Sequence, residues 1–360
     1  MNSQKILIFT GGGSGGHVMP ALTIIKKINQ HKHYEIHYIG GIKSIESELV
    51  RDYELTYHAI HTGKLRRYLS IENLKDIGRI FLGLIDSWKV LFKFDKDTSL
   101  IFSSGGFVSV PVVVAAYIQG KKIFIHEQTS RVGLANKICS YFADKIFISF
   151  EDSFNYFNKS KTFYSGYPLR EECYEETVHP IIINGQNIND SAKPILFITG
   201  GGNGAMLLNK LIEKNLTDLT KNFLVIHQTG KAFLSEFEKY KNSDYIPLAF
   251  IGTEMIDLFK LATVTLSRSG AGTVSELIAV GKKSIYVPLR IAQKNEQYYN
   301  ALEAQRKLGS IVIEEKDLND ESFMKAIKEI GLKNPIVKID RKNGLQYLVS
   351  EIEKRFSSNS

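Results

Sequence analysis

The sequence predicts an α/β protein made of two doubly wound domains that face a cleft. Short β-branched and aromatic segments alternate with helical patterns, which is typical of parallel sheets covered by helices on both faces. The alternation occurs twice, and each half opens with a strand, a glycine-rich turn and a helix, ILIFTGGGSGGHVMPAL and ILFITGGGNGAMLLNKL. A length of 360 residues also suits two domains.

The candidate strands are short and almost entirely apolar. In the first half they cover residues 5–10, 35–40, 99–103, 122–127 and 145–149. In the second half they cover residues 194–200, 223–229, 246–251, 263–267, 283–288 and 310–314. The helical patterns between them supply the layers that such strands need on both faces.

The domain boundaries follow from the repeat and from one polar segment. We expect a first domain over residues 1–166, a linker over 167–192 and a second domain over 193–338. The linker is expected because the segment is polar and contains proline, glycine, asparagine and aspartate. Residues 339–360 end in a helical pattern, Leu345 to Phe356, that can pack on either domain.

Composition and charge limit the possible classes of function. A hydrophobic fraction of 43% indicates an ordinary globular core. The net charge of +8 favours anionic partners, and no nucleic-acid-binding signature accompanies it. The two cysteines, Cys139 and Cys173, have no metal-binding or redox spacing. No signal peptide is expected, and the longest apolar segment, residues 108–118, is too short to span a membrane, so any membrane contact should be peripheral.

The first glycine-rich turn, residues 11–16, leads directly into His17. Glycines let the backbone approach a phosphate closely, and free amides at a helix start favour an anion. The turn lacks the Lys-Ser/Thr of a P-loop, and its spacing differs from that of a dinucleotide fingerprint. His17 lies where open α/β sheets bind ligands, although both features are also compatible with a structural role. The second turn, residues 200–205, has the same properties.

The segment SRSGAGTVSELIAVG, residues 267–281, carries the most informative pattern. A helix is expected to begin at Thr273, with Glu276 in its first turn. A carboxylate there can accept hydrogen bonds from a ribose diol while nearby amides hold a diphosphate, or it can cap the helix. Glu296 and Gln297 in KNEQYYNA suit sugar hydroxyls. The segments GGFVSVP and HEQTSRVGLANK, which includes Glu127, are compatible with either ligand contact or loop architecture.

Several motifs together resemble the MurG family of peptidoglycan glycosyltransferases. In chain order they are GGSGGHVMPAL, GGFVSVP, HEQ…GLANK, GYPLRE, HQTGK, SRSGAGTVSE and NEQYYNA. The resemblance covers almost the whole chain and is weakest in the expected linker and at the C-terminal end. It implies a GT-B fold with two Rossmann-like domains and a C-terminal helix that crosses back to the first. It also implies transfer of N-acetylglucosamine from UDP-N-acetylglucosamine to lipid I, which gives lipid II, at the cytoplasmic face of the bacterial membrane.

The resemblance implies roles for individual residues of both domains. In the first domain, the acceptor diphosphate would be cradled by Gly13, Ser14, Gly15 and Gly16. His17 would be the base or would position the reacting hydroxyl, and Glu127 is a second candidate. In the second domain, Ile251 would meet uracil through its backbone, and Glu276 would hold ribose. The remaining donor contacts would be Arg170, Gly202, Asn203 and Gly204 to UDP, Ala271, Gly272 and Thr273 to phosphate and sugar, and Glu296 and Gln297 to sugar hydroxyls.

Five positions depart from residues that are frequent in the family. Ser14 replaces threonine and keeps the hydroxyl, whereas Phe107 replaces tyrosine and loses a phenol. Thr129 replaces asparagine, Gly202 replaces serine and removes a phosphate contact, and Glu296 replaces glutamine. Because the carboxylate of Glu296 still accepts from hydroxyls, donor binding should survive. The change from glutamine to Glu296 should instead affect the exact sugar preference.

No metal ion and no cofactor are expected. Charge on the departing diphosphate can be stabilised by amides, a helix N-terminus and Arg170 or Arg268. The pair Asp95 and Asp97 is interpreted as part of a solvated loop. Attack from the opposite face of the sugar implies inversion. The alternatives are another lipid-acceptor glycosyltransferase such as a diacylglycerol glucosyltransferase, a UDP-sugar 2-epimerase, a dinucleotide-dependent oxidoreductase and a non-catalytic binding or membrane-recruiting module.

Residues 64–93 are predicted to form one or two amphipathic helices that meet an anionic membrane. The apolar stripe can pack on the first sheet, or one edge with Phe81, Leu82 and Trp88 can remain exposed. The stripe consists of Leu74, Ile77, Phe81, Leu84, Ile85, Trp88 and Phe92, and its flanking cations are Lys64, Arg66, Arg67, Lys75, Arg79, Lys89 and Lys93.

Overall fold

The structure is a computed structural model that describes residues 4–30, 33–63, 71–291, 295–331, 334–338 and 343–357. The chain forms two compact units. The first unit consists of Met1–Leu169 together with Lys342–Ser360, and the second consists of Arg170–Arg341. The expected class, two doubly wound parallel domains, is confirmed.

The first unit is built on a seven-stranded parallel sheet with the strand order β3-β2-β1-β4-β5-β6-β7. Parallel pairing requires a crossover between successive strands; α-helices supply it except between β6 and β7, which are joined by short 3-10 turns. In chain order the elements are β1 (Lys5–Thr10), α1 (Gly15–Asn29), β2 (Tyr34–Gly41), α2 (Ile45–Leu49), β3 (Thr56–Ile60), α3 (Ile71–Leu91), β4 (Ser99–Ser103), α4 (Ser109–Ile118), β5 (Lys122–Glu127), α5 (Leu134–Cys139), β6 (Lys145–Ile148) and β7 (Thr162–Tyr164).

The second unit is built on a six-stranded parallel sheet and carries a two-stranded hairpin. Its elements are β8 (Ile182–Ile183), β9 (Gln186–Asn187), β10 (Ile195–Thr199), α6 (Met206–Asn222), β11 (Leu224–Gln228), α7 (Leu234–Phe237), β12 (Tyr245–Leu248), α8 (Met255–Leu261), β13 (Val264–Ser267), α9 (Ala271–Val280), β14 (Ile285–Tyr286), α10 (Glu296–Leu308), β15 (Ile311–Val312) and α11 (Asp320–Ile330). The sheet order is β12-β11-β10-β13-β14-β15, and β8 pairs with β9 antiparallel.

The last helix, α12 (Gly344–Ser357), belongs to the first unit. Its apolar face, which includes Leu348 and Ile352, joins the core cluster that α1 and the sheet form. A salt bridge of 2.7 Å between Lys145 Nζ and Glu351 Oε2 fixes the same face. The absence of a side chain at Gly344 allows its close approach, because a Cβ there would lie 2.5 Å from the carbonyl oxygen of Tyr167.

The segment that we expected to be a linker is largely part of the second unit. From Arg170 onward it includes the hairpin β8–β9, and the side chains of Ile181 and Ile188 are buried. Lys260 Nζ donates to the carbonyl oxygen of Thr177 at 2.8 Å, which ties the segment to α8. Its polar composition therefore reflects hydrogen-bonded turns rather than a free connection.

Candidate active site

Both units place a glycine-rich turn at the carboxyl end of their first long strand, which is where open α/β sheets bind ligands. In the first unit the turn follows β1. Gly13 adopts a φ of +81°, a conformation that glycine tolerates and that other residues rarely adopt. Helix α1 then begins at Gly15 without a side-chain cap from Ser14.

The amides of this turn are not equivalent. The Gly13 amide donates to Glu46 Oε2 at 3.1 Å, and the His17 amide donates to the Ser14 carbonyl at 3.1 Å. The amides of Ser14, Gly15 and Gly16 have no acceptor among the described residues. Of the four residues that the resemblance implies for the acceptor diphosphate, three thus have an amide ready for an anion.

His17 lies in the first turn of α1 and is half-buried. Its Nδ1 is 3.1 Å from the carbonyl oxygen of Ser104, which follows β4. Because a carbonyl oxygen only accepts, Nδ1 carries the proton and Nε2 of the neutral ring keeps its lone pair. This contact therefore holds His17 in the tautomer that a general base needs.

Glu127 ends β5, and its carboxylate accepts three hydrogen bonds. Its Oε1 accepts from the amide and the hydroxyl of Thr129 at 3.0 and 2.9 Å, and its Oε2 accepts from Asn136 Nδ2 at 3.1 Å. The side chain is buried. These contacts stabilise the loop after β5, and they leave Glu127 fewer free lone pairs for a proton than His17 has at Nε2. Thr129, a departure from the family pattern, supplies two of them.

Two residues near this site had no role in the sequence analysis. The side-chain amide of Gln128 donates to the same Ser104 carbonyl that holds His17, and Gln128 is buried. Glu46, on the short helix α2, is buried and reaches the glycine-rich turn. A signal for Glu46 existed, since an acidic residue closely follows the glycine pair that ends β2, but such a pattern is common in loops.

In the second unit, the turn after β10 is closely packed. Gly201 and Gly204 have φ values of +81° and +73°, and a Cβ at Gly204 would lie 1.9 Å from the carbonyl oxygen of Thr229. Gly202 and Asn203 form the exposed tip of the turn. Gln228 joins this turn to Ile251, because it donates to the Gly201 carbonyl at 2.8 Å and accepts from the Ile251 amide at 3.1 Å. Of the backbone groups of Ile251, only the carbonyl then remains available to a nucleobase such as uracil.

Helix α9 begins at Ala271, two residues earlier than expected, with Gly270 at its N-cap. Glu276 consequently lies in the second turn, and the first turn contains no acidic residue. The expectation that Glu276 occupies the first turn was wrong, because Gly270 rather than Gly272 ends the extended segment. Its capping role is thereby excluded. The amides of Ala271, Gly272 and Thr273 have no acceptor among the described residues.

Glu276 forms a salt bridge with Arg170, with 2.9 Å between Oε1 and Nη2. Burial raises the pKa of Glu276, and the charge of Arg170 partly opposes this rise. The pKa of Arg170 is raised too: burial, the largest single effect, lowers it, but the charge and hydrogen bond of Glu276, together with the nearby Cys173 and Glu172, more than offset this. The structure thus brings together two residues that the resemblance assigns to different parts of the donor.

Arg268 is engaged elsewhere. Its Nη1 lies 2.7 Å from Glu315 Oε1 and donates to the Val287 carbonyl at 3.0 Å. The side chain is 12% exposed, so it connects the ends of neighbouring strands rather than pointing into solvent. Of the two arginines considered for the donor diphosphate, Arg170 is the more accessible.

Glu296 and Gln297 begin α10 and are half-buried. Gln297 Oε1 accepts from the Leu289 amide at 3.0 Å, which leaves its amide nitrogen for a ligand. The adjacent Lys294 lies outside the described residues. In the first unit, Asp95 Oδ1 accepts from the Asp97 amide at 2.8 Å, as in an ordinary turn. No cluster of metal-ligating side chains occurs among the residues that the structure describes.

Comparison with known proteins identifies the family of both domains. The chain matches the glycosyltransferase family 28 N-terminal domain over residues 7–148 and the glycosyltransferase family 28 C-terminal domain over residues 195–352. The crystal structure of Acinetobacter baumannii MurG superposes with a TM-score of 0.71 at 22% identity and covers 97% of this chain and 99% of its own. This likeness establishes the fold.

Two bacterial proteins match this chain over more than nine tenths of its length. A UDP-N-acetylglucosamine–N-acetylmuramyl-(pentapeptide) pyrophosphoryl-undecaprenol N-acetylglucosamine transferase of Clostridium tetani is 33% identical over 98% of this chain and 99% of its own. The protein of the same name from Clostridium perfringens is 38% identical over 92% and 91%. The chain therefore belongs to glycosyltransferase family 28 and, within it, to the MurG family of N-acetylglucosamine transferases.

Proposed function

We propose that this protein transfers N-acetylglucosamine from UDP-N-acetylglucosamine to lipid I, an N-acetylmuramyl-pentapeptide on pyrophosphoryl-undecaprenol, and so forms lipid II for peptidoglycan synthesis. The observation that carries this proposal is the identity to transferases of that name along nearly the full length of both chains. An oxidoreductase would not account for it.

The first unit is proposed to bind the acceptor. The amides of Ser14, Gly15 and Gly16 suit its diphosphate, because a helix start offers both free N–H groups and a favourable dipole. His17 would remove the proton from the attacking hydroxyl through Nε2, while the Ser104 carbonyl holds its other nitrogen. Glu127, with its engaged oxygens, is the less favoured base.

The second unit is proposed to bind the donor. The free amides of Ala271, Gly272 and Thr273 suit the diphosphate, and Glu276 would accept from the ribose hydroxyls. The uracil would meet the Ile251 carbonyl. Further contacts are proposed for Arg170 at a phosphate, for Gly202, Asn203 and Gly204 at the turn after β10, and for Glu296 and Gln297 at the sugar.

The chemistry needs stabilisation of negative charge at the leaving group. As the bond from the sugar C1 to the diphosphate oxygen breaks, charge grows on UDP, and amides and Arg170 that are already oriented stabilise it. The acceptor hydroxyl attacks C1 from the opposite face, so the anomeric configuration inverts. As proposed, both steps use only groups of the protein and need neither a metal ion nor a cofactor.

We further propose that the protein works at the cytoplasmic face of the bacterial membrane and attaches through α3. Phe81, Leu82, Ile85 and Trp88 on one side of this helix are exposed, as is Phe92 just after its end, whereas Leu91 is buried. The expected exposed edge, Phe81, Leu82 and Trp88, is therefore present. A polyprenyl acceptor stays in the bilayer, so an apolar face flanked by the exposed Lys89 and Lys93 suits an anionic surface.

Part of the predicted membrane segment lies outside the described residues. Lys64, Arg66 and Arg67 lie outside the described residues, as do the side chains of Leu74, Lys75 and Ile77. No helix in the described ranges has the length and apolar character to cross a bilayer.

The experiment that tests the function is incubation of the purified protein with radiolabelled UDP-N-acetylglucosamine and a lipid I analogue. We expect label in a β-linked disaccharide product, which mass spectrometry and a β-N-acetylhexosaminidase digest can identify. Consumption of the donor without acceptor would instead indicate an epimerase. Transfer to diacylglycerol but not to lipid I would indicate a different lipid acceptor, and UDP binding without turnover would indicate a non-catalytic module.

A further inference from the structure

Glu46 is a buried carboxylate whose two oxygens bind two backbone amides. Its Oε2 accepts from Gly13 at 3.1 Å, and its Oε1 accepts from Gly41 at 2.9 Å. The residue is only 2% exposed, and no cation pairs with it in the described part of the chain. A buried charge without a counter-ion is costly unless hydrogen bonds compensate for it. An apolar side chain would fill the same space at lower cost, so these two amide contacts account for the carboxylate.

The surroundings of Glu46 are shaped to admit it. A Cβ on Gly12 would lie 2.3 Å from the carboxylate carbon of Glu46, and a Cβ on Gly40 would lie 2.8 Å from its Cγ. Helix α2 carries the residue, and a reciprocal capping box between Ser44 and Ser47 fixes the start of that helix. The position of the carboxylate is therefore set by packing and capping together.

The contact fixes one peptide group of the glycine-rich turn. The N–H of the Gly12–Gly13 peptide points at Glu46, and its carbonyl oxygen lies against Gly106, where a Cβ would be 2.1 Å away. Since the peptide group is planar, both of its sides are held. Upstream, the Gly12 amide donates to the Gly105 carbonyl at 3.1 Å and Tyr38 donates to the Gly11 carbonyl at 2.7 Å.

Glu46 is thus the last anchor before the three amides without an acceptor. The turn from residue 11 to residue 16 consists of glycine apart from Ser14, and glycine loses more conformational freedom on ordering than any other residue. A turn without anchors would lose this freedom when an anion binds, whereas an anchored turn is ordered beforehand. The contact at Gly13 orders the turn at the residue where the free amides begin.

We propose that Glu46 is a positioning residue for acceptor binding, which holds the Gly12–Gly13 peptide so that the amides of Ser14, Gly15 and Gly16 keep one orientation toward a diphosphate. This inference rests on the proposed function for the identity of the acceptor. It predicts an effect on the acceptor KM that is separate from kcat and from the donor KM.

The test is a graded pair of variants with a matched control. Glu46→Gln keeps one acceptor oxygen, and Glu46→Leu keeps none. Glu48→Gln changes an exposed carboxylate of the same helix. At saturating donor, the KM for a lipid I analogue should rise about tenfold in Glu46→Gln and more in Glu46→Leu, as expected for loss of a hydrogen bond to a charged group. The kcat, the donor KM and all parameters of Glu48→Gln should stay within about twofold.

Hydrogen exchange gives a readout that does not depend on turnover. The Gly13 amide should exchange faster in Glu46→Gln, while the amides in the middle of α1 keep their protection. If wild type transfers no sugar, the proposed function fails and the exchange result still decides whether Glu46 orders the turn. An unchanged acceptor KM with unchanged Gly13 exchange would overturn the inference. A fall in kcat with both KM values unchanged would also overturn the inference, because it indicates only a loss of folded protein. If Glu46→Leu does not fold, Glu46→Gln decides.

Discussion

Arg170 and Glu276 form an ion pair in the second unit, with 2.9 Å between Nη2 and Oε1. Burial raises the pKa of Glu276, and the charge of Arg170 opposes this rise. Since the proposed ribose contact uses the ionised carboxylate, Arg170 has a role before any phosphate is bound. It favours the protonation state in which Glu276 can accept from two hydroxyls.

The first prediction concerns the pH dependence of donor binding. Protonation of Glu276 removes its charge and one acceptor, so affinity should fall as the pH drops through its raised pKa. In Arg170→Gln this pKa rises further, and the loss should begin at a higher pH. Calorimetric titration with uridine, which has no phosphate, separates this effect from a phosphate contact of Arg170. Arg306→Gln, which removes an exposed arginine paired with Glu303, should follow the wild-type curve. Coincident curves for all three proteins would contradict the prediction.

The second prediction concerns Glu276 itself. Glu276→Ala should weaken UDP binding by about 1.5–3 kcal/mol, because a hydrogen-bonded charge at the ribose is lost. Glu321→Ala removes an exposed acid from the first turn of α11 in the same unit and should leave UDP affinity unchanged. Both variants should keep the wild-type circular dichroism spectrum. Equal calorimetric affinities for wild type and Glu276→Ala would show that ribose is bound elsewhere.

The central strands were predictable from sequence, and the edges were not. Residues 5–10, 99–103 and 122–127 were predicted with the observed bounds, because each of these strands has a buried, apolar centre. The strand Thr56–Ile60 was missed because it lies at the sheet edge, where its residues are partly exposed and its composition is polar. The strand Thr162–Tyr164, at the opposite edge, is too short to give a pattern.

Predictability within the site depended on whether a residue acts through local sequence. The glycines of the turn before His17 made that turn predictable, whereas Glu46 contacts the turn at Gly13 from 33 positions further along the chain. The contact of His17 with Ser104 spans 87 positions. The pairing of Arg170 with Glu276 spans 106 positions. The contacts of Glu46 and His17 depend on the sheet order, which places β2 and β4 on either side of β1, and no local pattern encodes that order.

The third prediction separates catalysis from binding at His17. His17→Ala should lower turnover roughly 10²–10⁴-fold, the range for a lost general base, and should leave UDP affinity unchanged. His33→Ala removes an exposed histidine of the same unit and should have normal turnover. Steady-state kinetics with a lipid I analogue measures the turnover of both variants, and calorimetric titration measures their UDP affinity. Near-normal turnover of His17→Ala would direct attention to Glu127 or to simple positioning.

The fourth prediction is that turnover persists in EDTA. Backbone amides and Arg170 are proposed to stabilise the diphosphate, so chelation should not abolish the reaction. The assay should compare initial rates with EDTA, with Mg²⁺, and with a nonionic soluble acceptor that removes ion effects on lipid presentation. Complete loss of activity in EDTA that only Mg²⁺ restores would overturn this prediction, whereas partial stimulation by salt would not.

The fifth prediction is that α3 attaches the protein to anionic membranes. Phe81→Ser combined with Trp88→Ser should reduce co-sedimentation with vesicles that contain phosphatidylglycerol, because both side chains are exposed on the same helix. Lys89→Gln with Lys93→Gln should reduce it too, and added salt should mimic this second pair, since each cation near such a surface contributes on the order of 1 kcal/mol. Phe250→Ser removes an aromatic residue of comparable exposure from the second unit and serves as the control.

Replacement of Arg66, Arg67, Lys75 and Arg79 by glutamine tests the rest of the predicted segment in the same assay. Equal, salt-independent binding of wild type and all variants within residues 66–93 would place the membrane contact on another face of the protein.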